Sequence, residues 1–355
     1  MRLLVALLGF LLATAVCPGA TGPLPVRGLH LRVVKPDEIP RAVQFIREVL
    51  PKEGVNTLVL EIGYHYQFEK RPEVVDPNPI SKEDLEKLAA ASRQAGIRLI
   101  PSINLLGHQS WAKTTQGLLR AHPEFDETPG KYPDNEGIYC RSYCPLHPKV
   151  HEVVFDLIDE LVEASQADAF HAGMDEVFLI GEDDCQRCRG KNKAELFAQE
   201  VRLLRDHLAR SNRTLWIWGD RLLNGESTGI GKWEASANGT DAAIRLIPKD
   251  VIISDWHYER PVPTAALFAL EGLRVVSAPW RKAEVALAQL ELIRMIRRNS
   301  NDALAARPLG MLQTTWSSMG QFMKAYYGEA VPGRTGEAVK CFQELFAHIR
   351  RGDLE

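Results

Sequence analysis

The chain has 355 residues, of which 25% are charged and 45% apolar, with a formal net charge of −3. That length can bury one large core. Its basic residues are scattered, with no Lys/Arg block and no aromatic-interleaved basic stripe, which excludes a nucleic-acid-binding surface. At the N-terminus Arg2 precedes an apolar run over 3–16, followed by Pro18 and Gly19. The run is too short to span a bilayer, and residues 1–20 read as a secretory signal peptide cleaved after Ala15 or Ala20. Cys17 offers a lipid-anchor position, but Val16 before it is bulkier than such a site prefers. No other segment is apolar enough to span a membrane, so residues 24–355 are expected to form a secreted or periplasmic protein; the sequence leaves its oligomeric state unknown.

Beyond the signal, short apolar runs alternate with amphipathic stretches. Strands are expected at 28–34, 57–62, 98–104, 169–175, 214–218, 251–256, 274–278 and 309–315. Ser81 and Asp84 are spaced to cap a helix that Gly96 closes, and Pro148 suits the first turn of the next. Val150, Val153, Val154, Leu157, Ile158 and Leu161 form a three-four apolar stripe there, and similar stripes cover 194–208 and 285–296. Eight apolar strands alternating with helices predict a parallel sheet closed as a (β/α)₈ TIM barrel, in a single domain. The segment 224–250, rich in Gly and Ser, carries no assignable pattern and reads as a long rim loop. Beyond 327 a loop with Pro332 and Gly333 leads into a terminal helix.

In such a barrel chemistry sits at the carboxyl ends of the strands. Those positions hold Glu61 and Tyr64, Asn104 and His108, Asp175 and Glu176, Trp218 and Asp220, Asp255 to Tyr258, Trp280, and Trp316. The adjacent acids of His-Ala-Gly-Met-Asp-Glu-Val at 171–177 repel one another at the end of a buried run, a pattern that stability alone does not favour. Trp218, Trp256, Trp280 and Trp316 are four of the seven tryptophans, and aromatic faces beside carboxylates suit a sugar ring.

The fourth-strand string resembles the His-x-Gly-x-Asp-Glu motif of glycoside hydrolase family 20, the β-N-acetylhexosaminidases. Arg27-Gly28 resembles the Arg-Gly that opens that family's barrel, and 100–108, ending in Gly107-His108, its third-strand loop. The segments 54–61, 216–220 and 315–317 are closer to the hexosaminidase D-like branch than to the lysosomal enzymes. The resemblance covers most of 27–327 and implies a (β/α)₈ catalytic domain. It further implies an exo-acting glycosidase that releases terminal β-linked GlcNAc or GalNAc with retention, without a cofactor. Glu176 would be the general acid and base, and Asp175 would hold the acetamido group whose oxygen attacks the anomeric carbon. Arg27, His108, Trp218, Asp220, Trp256, Tyr258, Trp280 and Trp316 would contact the sugar, with His171 in support. Three positions depart from the family: Met174 where many members have Gly, Ser318 where a Glu grips distal hydroxyls, and Trp280 where a Tyr orients the acetamido group. Tyr258 or Tyr64 is a candidate replacement for that Tyr.

Cys140, Cys144, Cys185 and Cys188 fall in the loops after the third and fourth strands, where they could form disulfides, ligate a structural zinc or stay free thiols. Cys341 reads as a buried apolar residue. Two other functions fit the same residues: a carbohydrate-binding barrel weakened or without turnover, and a metal-dependent barrel such as a sugar isomerase.

Overall fold

The computed structural model describes residues 22–352, so the signal segment and Cys17 lie outside the described residues. Eight parallel strands close a barrel: β1 Val26–Arg32, β2 Thr57–Glu61, β3 Arg98–Leu105, β4 Ala169–Gly173, β5 Thr214–Trp218, β6 Ile252–Trp256, β7 Arg274–Ala278 and β8 Pro308–Ser318. Each strand pairs with its neighbours in chain order, and β8 returns to β1. Side chains alternate across each strand, so every second residue turns inward. Val26, Val59, Ile100, Ala169, Trp216, Ile252, Val276 and Leu312 form the inner cluster, and Trp218 and Trp256 belong to it too.

The outward faces are covered by α1 Ile39–Glu48, α2 Lys82–Gln94, α3 Val150–Ser165, α4 Lys193–Ala209, α5 Thr264–Leu270, α6 Ala283–Asn299, α7 Met319–Tyr326 and α8 Thr335–Gly352. The Ser81–Asp84 capping box forms in both directions, Asp84 N–H to Ser81 Oγ and Ser81 N–H to Asp84 Oδ2, at 3.2 Å each. Pro148 sits just ahead of α3 rather than inside it, and the apolar stripe of α3 is buried. After β5 the outer layer is thinner, because the long rim loop forms short 3₁₀ turns, Asp220–Leu222 and Asp241–Arg245, instead of a full helix. Among the described residues no helix is long and apolar enough to cross a membrane.

β1 lies two residues earlier than expected, at Val26–Arg32 rather than 28–34, and two other strand ends differ for one backbone reason. β4 stops at Gly173 rather than 175 because Gly173 and Met174 take φ of +66° and +69°, which ends the extended ladder. β8 runs on to Ser318, bending at Trp316 (φ +52°), and its register with β1 slips between His30 and Arg32.

Barrel closure depends on Gly310, paired with Val26 at the β1–β8 seam. Its φ is +140°, and an added Cβ would lie 2.0 Å from the Val26 carbonyl oxygen, a backbone atom that cannot swing away. Gly310→Ala is expected to cost about 3 kcal/mol or more, read from the midpoint of chemical denaturation. A loss under about 1 kcal/mol would show that the seam relaxes freely.

Candidate active site

The carboxyl rim is organised around the turn that leaves β4. Gly173, Met174 and Glu176 all have positive φ, so the chain turns sharply and presents both acids toward β3. Side chains from the two neighbouring strands hold that turn. Asn104 accepts the Met174 N–H at its Oδ1 (3.1 Å) and donates from Nδ2 to Asp175 Oδ1 (2.6 Å). Asp220, from the turn after β5, accepts the Glu176 N–H at 2.9 Å.

His108, itself at φ +51°, lies between the two acids. Its Nε2 is 3.0 Å from Glu176 Oε2 and 3.4 Å from Asp175 Oδ2, in hydrogen-bond alignment with neither. Burial disfavours the imidazolium, but the charge of Asp175 and the contacts with both acids overcome it and hold the ring well above its usual range. Asp175 answers in kind. Burial works against its charge, yet His108 and the Asn104 amide hold its carboxyl below the usual range. The three groups offer atoms within 4.8 Å of one another, a spacing that could also hold a cation.

His171 is buried and neutral. Burial first, then the neighbouring His30, pushes it down to about 3. Its Nδ1 accepts the Gly173 N–H (3.1 Å), which leaves Nε2 to donate to Ser254 Oγ (3.2 Å). The ring also packs on Trp218 at 4.6 Å between centroids.

Trp218, Trp256, Tyr258, Trp280 and Trp316 line the side of the rim opposite His108's loop. The ring centroids of Trp218 and Trp316 are 5.6 Å apart, those of Trp256 and Tyr258 4.9 Å, and those of Tyr258 and Trp280 5.4 Å. The Trp316 indole N–H donates to the Tyr258 hydroxyl at 2.8 Å, which fixes both rings. Tyr64 is not an alternative to Tyr258, because its buried hydroxyl donates to Gln109.

Two expected sugar contacts do not hold. Arg27 lies at the amino end of β1, where its guanidinium donates to the carbonyls of Gly54 (2.9 Å) and Leu24 (3.1 Å). At the carboxyl end of that strand stands Arg32 instead, stacked over Trp316 at 5.8 Å and 3.4 Å from Glu61. Burial opposes the charge of Glu61, but Arg32 and His30 hold it at about 2. Asp220 is 2% exposed, and its oxygens accept from Glu176 N–H, Arg221 Nε and the Trp256 indole, so it positions the rim rather than meeting ligand. Burial pushes Asp220 up to about 6, with Arg221 opposing. Ser318, where the family pattern has Glu, caps α7 by accepting the Gln321 N–H.

Sequence reasoning also missed Glu234 in the rim loop and the open aromatic edge of Trp111, Tyr139 and Trp233. Trp111 and Trp233 are 54% and 46% exposed, and both flank Tyr139. The cysteines divide: Cys140 turns to the Glu176 carbonyl (3.5 Å), away from Cys144, Cys185 and Cys188, and all five described cysteines are free thiols. Cys341 is buried, as expected.

The rim loop is tied down through His257, whose Nδ1 meets Glu234 Oε2 (2.8 Å) and whose Nε2 meets Thr264 Oγ1 (2.7 Å) and Asp255 Oδ1 (3.2 Å). Burial opposes the imidazolium, but Asp255 and Glu234 raise it from 6.5 to about 9. A raised histidine contributes its full stability below 6.5 and loses it as pH rises through about 9. Stability is therefore expected to fall by on the order of 3 kcal/mol across that window. Denaturation at a series of pH values should show the slope in the wild type and its absence in His257→Gln; parallel profiles would contradict the assignment.

Comparison with known proteins bears on the fold and the family. Among solved structures, the barrel is similar to a chitobiase from Flavobacterium johnsoniae, with a TM-score of 0.64 and 18% identity, covering 93% of this chain and 50% of that one. It is similar to a family 20 exo-β-N-acetylglucosaminidase from Vibrio harveyi solved with N-acetylglucosamine (0.62, 16%, covering 93% and 57%). It is also similar to a β-N-acetylhexosaminidase from Bacteroides fragilis (0.60, 15%, covering 93% and 71%). The chain thus spans little more than half the length of the first two, and at these identities the likeness shows the fold. No curated protein sequence matches. The model of the glycosyl hydrolase family 20 catalytic domain matches residues 59–291, well over half of the chain and the whole stretch from β2 to α6 that carries Asn104, His108, Asp175, Glu176 and Asp220, and the protein belongs to that family.

Proposed function

We propose that this protein is an exo-acting β-N-acetylhexosaminidase that releases terminal β-linked GlcNAc or GalNAc by substrate-assisted hydrolysis with retention, and that the segment 1–20 exports it. One observation carries the mechanism: Asp175 and Glu176 approach the same imidazole from one strand end. A double displacement needs two carboxyl groups about 5–5.5 Å apart on opposite sides of the anomeric carbon. With His108 between these two, no sugar ring can enter the gap, so the nucleophile has to come from the substrate. The N-acetylglucosamine bound in the similar Vibrio harveyi enzyme supports that source.

In this reading the acetamido oxygen attacks the anomeric carbon while Glu176 gives its proton to the departing glycosidic oxygen. Asp175, held ionised by His108 and Asn104, accepts the acetamido N–H and stabilises the positive charge of the oxazolinium ring. Glu176, now a carboxylate, takes a proton from the water that reopens the ring, and the starting state returns. Trp280 and Trp316, the partly exposed rings of that wall, would stack on the sugar with the buried Trp218 and Trp256 behind them, and the exposed Trp111–Tyr139–Trp233 edge would meet the leaving group.

A sugar-binding barrel without turnover is the second reading, favoured by Ser318, which is committed to capping α7 and offers no carboxylate to distal hydroxyls. Nitrophenyl β-N-acetylglucosaminide, β-N-acetylgalactosaminide and plain β-glucoside separate the two. The first pair is expected to be hydrolysed and the glucoside not. Glu176→Gln should lower kcat about 10²–10⁴-fold, and Asp175→Asn should lower kcat more than it raises KM. Binding of the acetamido sugars without turnover would establish the second reading, and comparable hydrolysis of the glucoside would contradict substrate assistance.

A further inference from the structure

Beneath the loops that wall the site, Cys144, Cys185, Cys188 and Glu127 bring their side-chain atoms within 4.8 Å of one another, all buried. We infer that these four residues form a structural zinc site. Cys144 Sγ lies 3.4 Å from both Cys188 Sγ and Cys185 Sγ. A tetrahedral zinc with Zn–S of about 2.3 Å sets its sulfurs roughly 3.8 Å apart, whereas a disulfide needs about 2.05 Å. Cys144 is equidistant from two partners, and a disulfide could take only one of them, leaving the third sulfur and a carboxylate without a partner.

Glu127 is the independent pointer. It is fully buried; one oxygen accepts the Glu182 N–H at 3.0 Å, and the other, Oε2, has no aligned hydrogen bond, the carboxyl facing the thiols of Cys185 and Cys188. A buried carboxylate oxygen left unbonded is expensive, and a cation ligated there removes the cost. Three thiolates and a carboxylate are a donor set that suits zinc, with its preference for sulfur and its tolerance of a fourth oxygen ligand. Arg187, inside the Cys-x-x-Cys pair, acts on Cys144 and would offset part of the negative charge of such a centre. Glu127 and Cys144 belong to the loop after β3, and Cys185 and Cys188 to the loop after β4. The ion would therefore staple the loop carrying His108 to the one that follows Glu176.

The inference is independent of the catalytic reading, since the test needs no substrate. The full chain, produced with zinc supplied, is expected to carry close to one zinc per chain. X-ray absorption at the zinc edge should give three sulfur neighbours and one oxygen neighbour. Cys188→Ser and Glu127→Ala should weaken zinc binding tenfold or more, and Cys140→Ser should leave it unchanged. Should the ligand variants fail to fold, cobalt substitution of the wild type still reads the site through thiolate-to-cobalt charge transfer. Three results would overturn the proposal. One is an intact mass two hydrogens light, with Cys144 mapped to Cys185 or Cys188. Another is metal-free protein with all three thiols alkylated after incubation with zinc. The last is zinc surrounded only by nitrogen and oxygen, which would place it on His108, Asp175 and Glu176.

Discussion

The active rim depends on a short piece of backbone that would not hold its shape alone. Three residues of four, Gly173, Met174 and Glu176, sit in the left-handed region, and for the two with side chains that costs on the order of 1–3 kcal/mol each. The turn persists because its N–H groups are taken by side chains from both neighbouring strands, Met174 by Asn104 and Glu176 by Asp220. Asn104 serves twice, since the amide that accepts from the turn also donates to Asp175. One side chain thus fixes both the path of the chain and the direction of a reactive carboxylate. Gly173 is required for the same reason, because a Cβ there would lie 2.3 Å from the Asn104 amide oxygen.

That dependence explains what could be read in the sequence and what could not. Strands buried on both faces appear as apolar runs, so β2, β5 and β7 were legible almost to the residue. The end of β4 was not, because the residues after Gly173 remain buried while the ladder has already stopped. Arg27 and Arg32 show the limit of motif matching. Five residues of extended chain separate them by roughly 16 Å, so only one can stand at the reactive end. The rule applied to the other strands did not find Arg32 either, because the first strand was expected to run to 34 and stops at Arg32. The loop constellation was hidden for a different reason. Cysteine spacing suggested a set of four, but Glu127 lies seventeen residues before Cys144 and has no local signature, while Cys140 is drawn to the Glu176 carbonyl. Glu234 was equally invisible inside a segment without periodicity, and it acquires a role only through His257 and Tyr258, just past the end of β6.

The charges of the rim divide the labour among its acids. Glu61 is matched by Arg32, Asp220 by Arg221 in a fully buried pair, and Asp175 by His108 with the Asn104 amide in addition. His171, neutral and bonded at both ring nitrogens, adds no charge and serves as a spacer under Trp218. Glu176 differs from the other three. Its backbone is held by Asp220, and its carboxyl group shares the imidazole of His108 with Asp175 and meets the Tyr139 hydroxyl, so it has no cation of its own. A carboxylate locked into an ion pair resists protonation and is suited to stabilising a positive charge. A group that must release a proton and then recover one needs the opposite, a fixed backbone beneath a side chain without a cation of its own. On that criterion the two adjacent acids are separated by their neighbours rather than by their own chemistry. Asp175 has both His108 and the Asn104 amide to favour its charge, and among the described residues Glu176 has no amide of that kind.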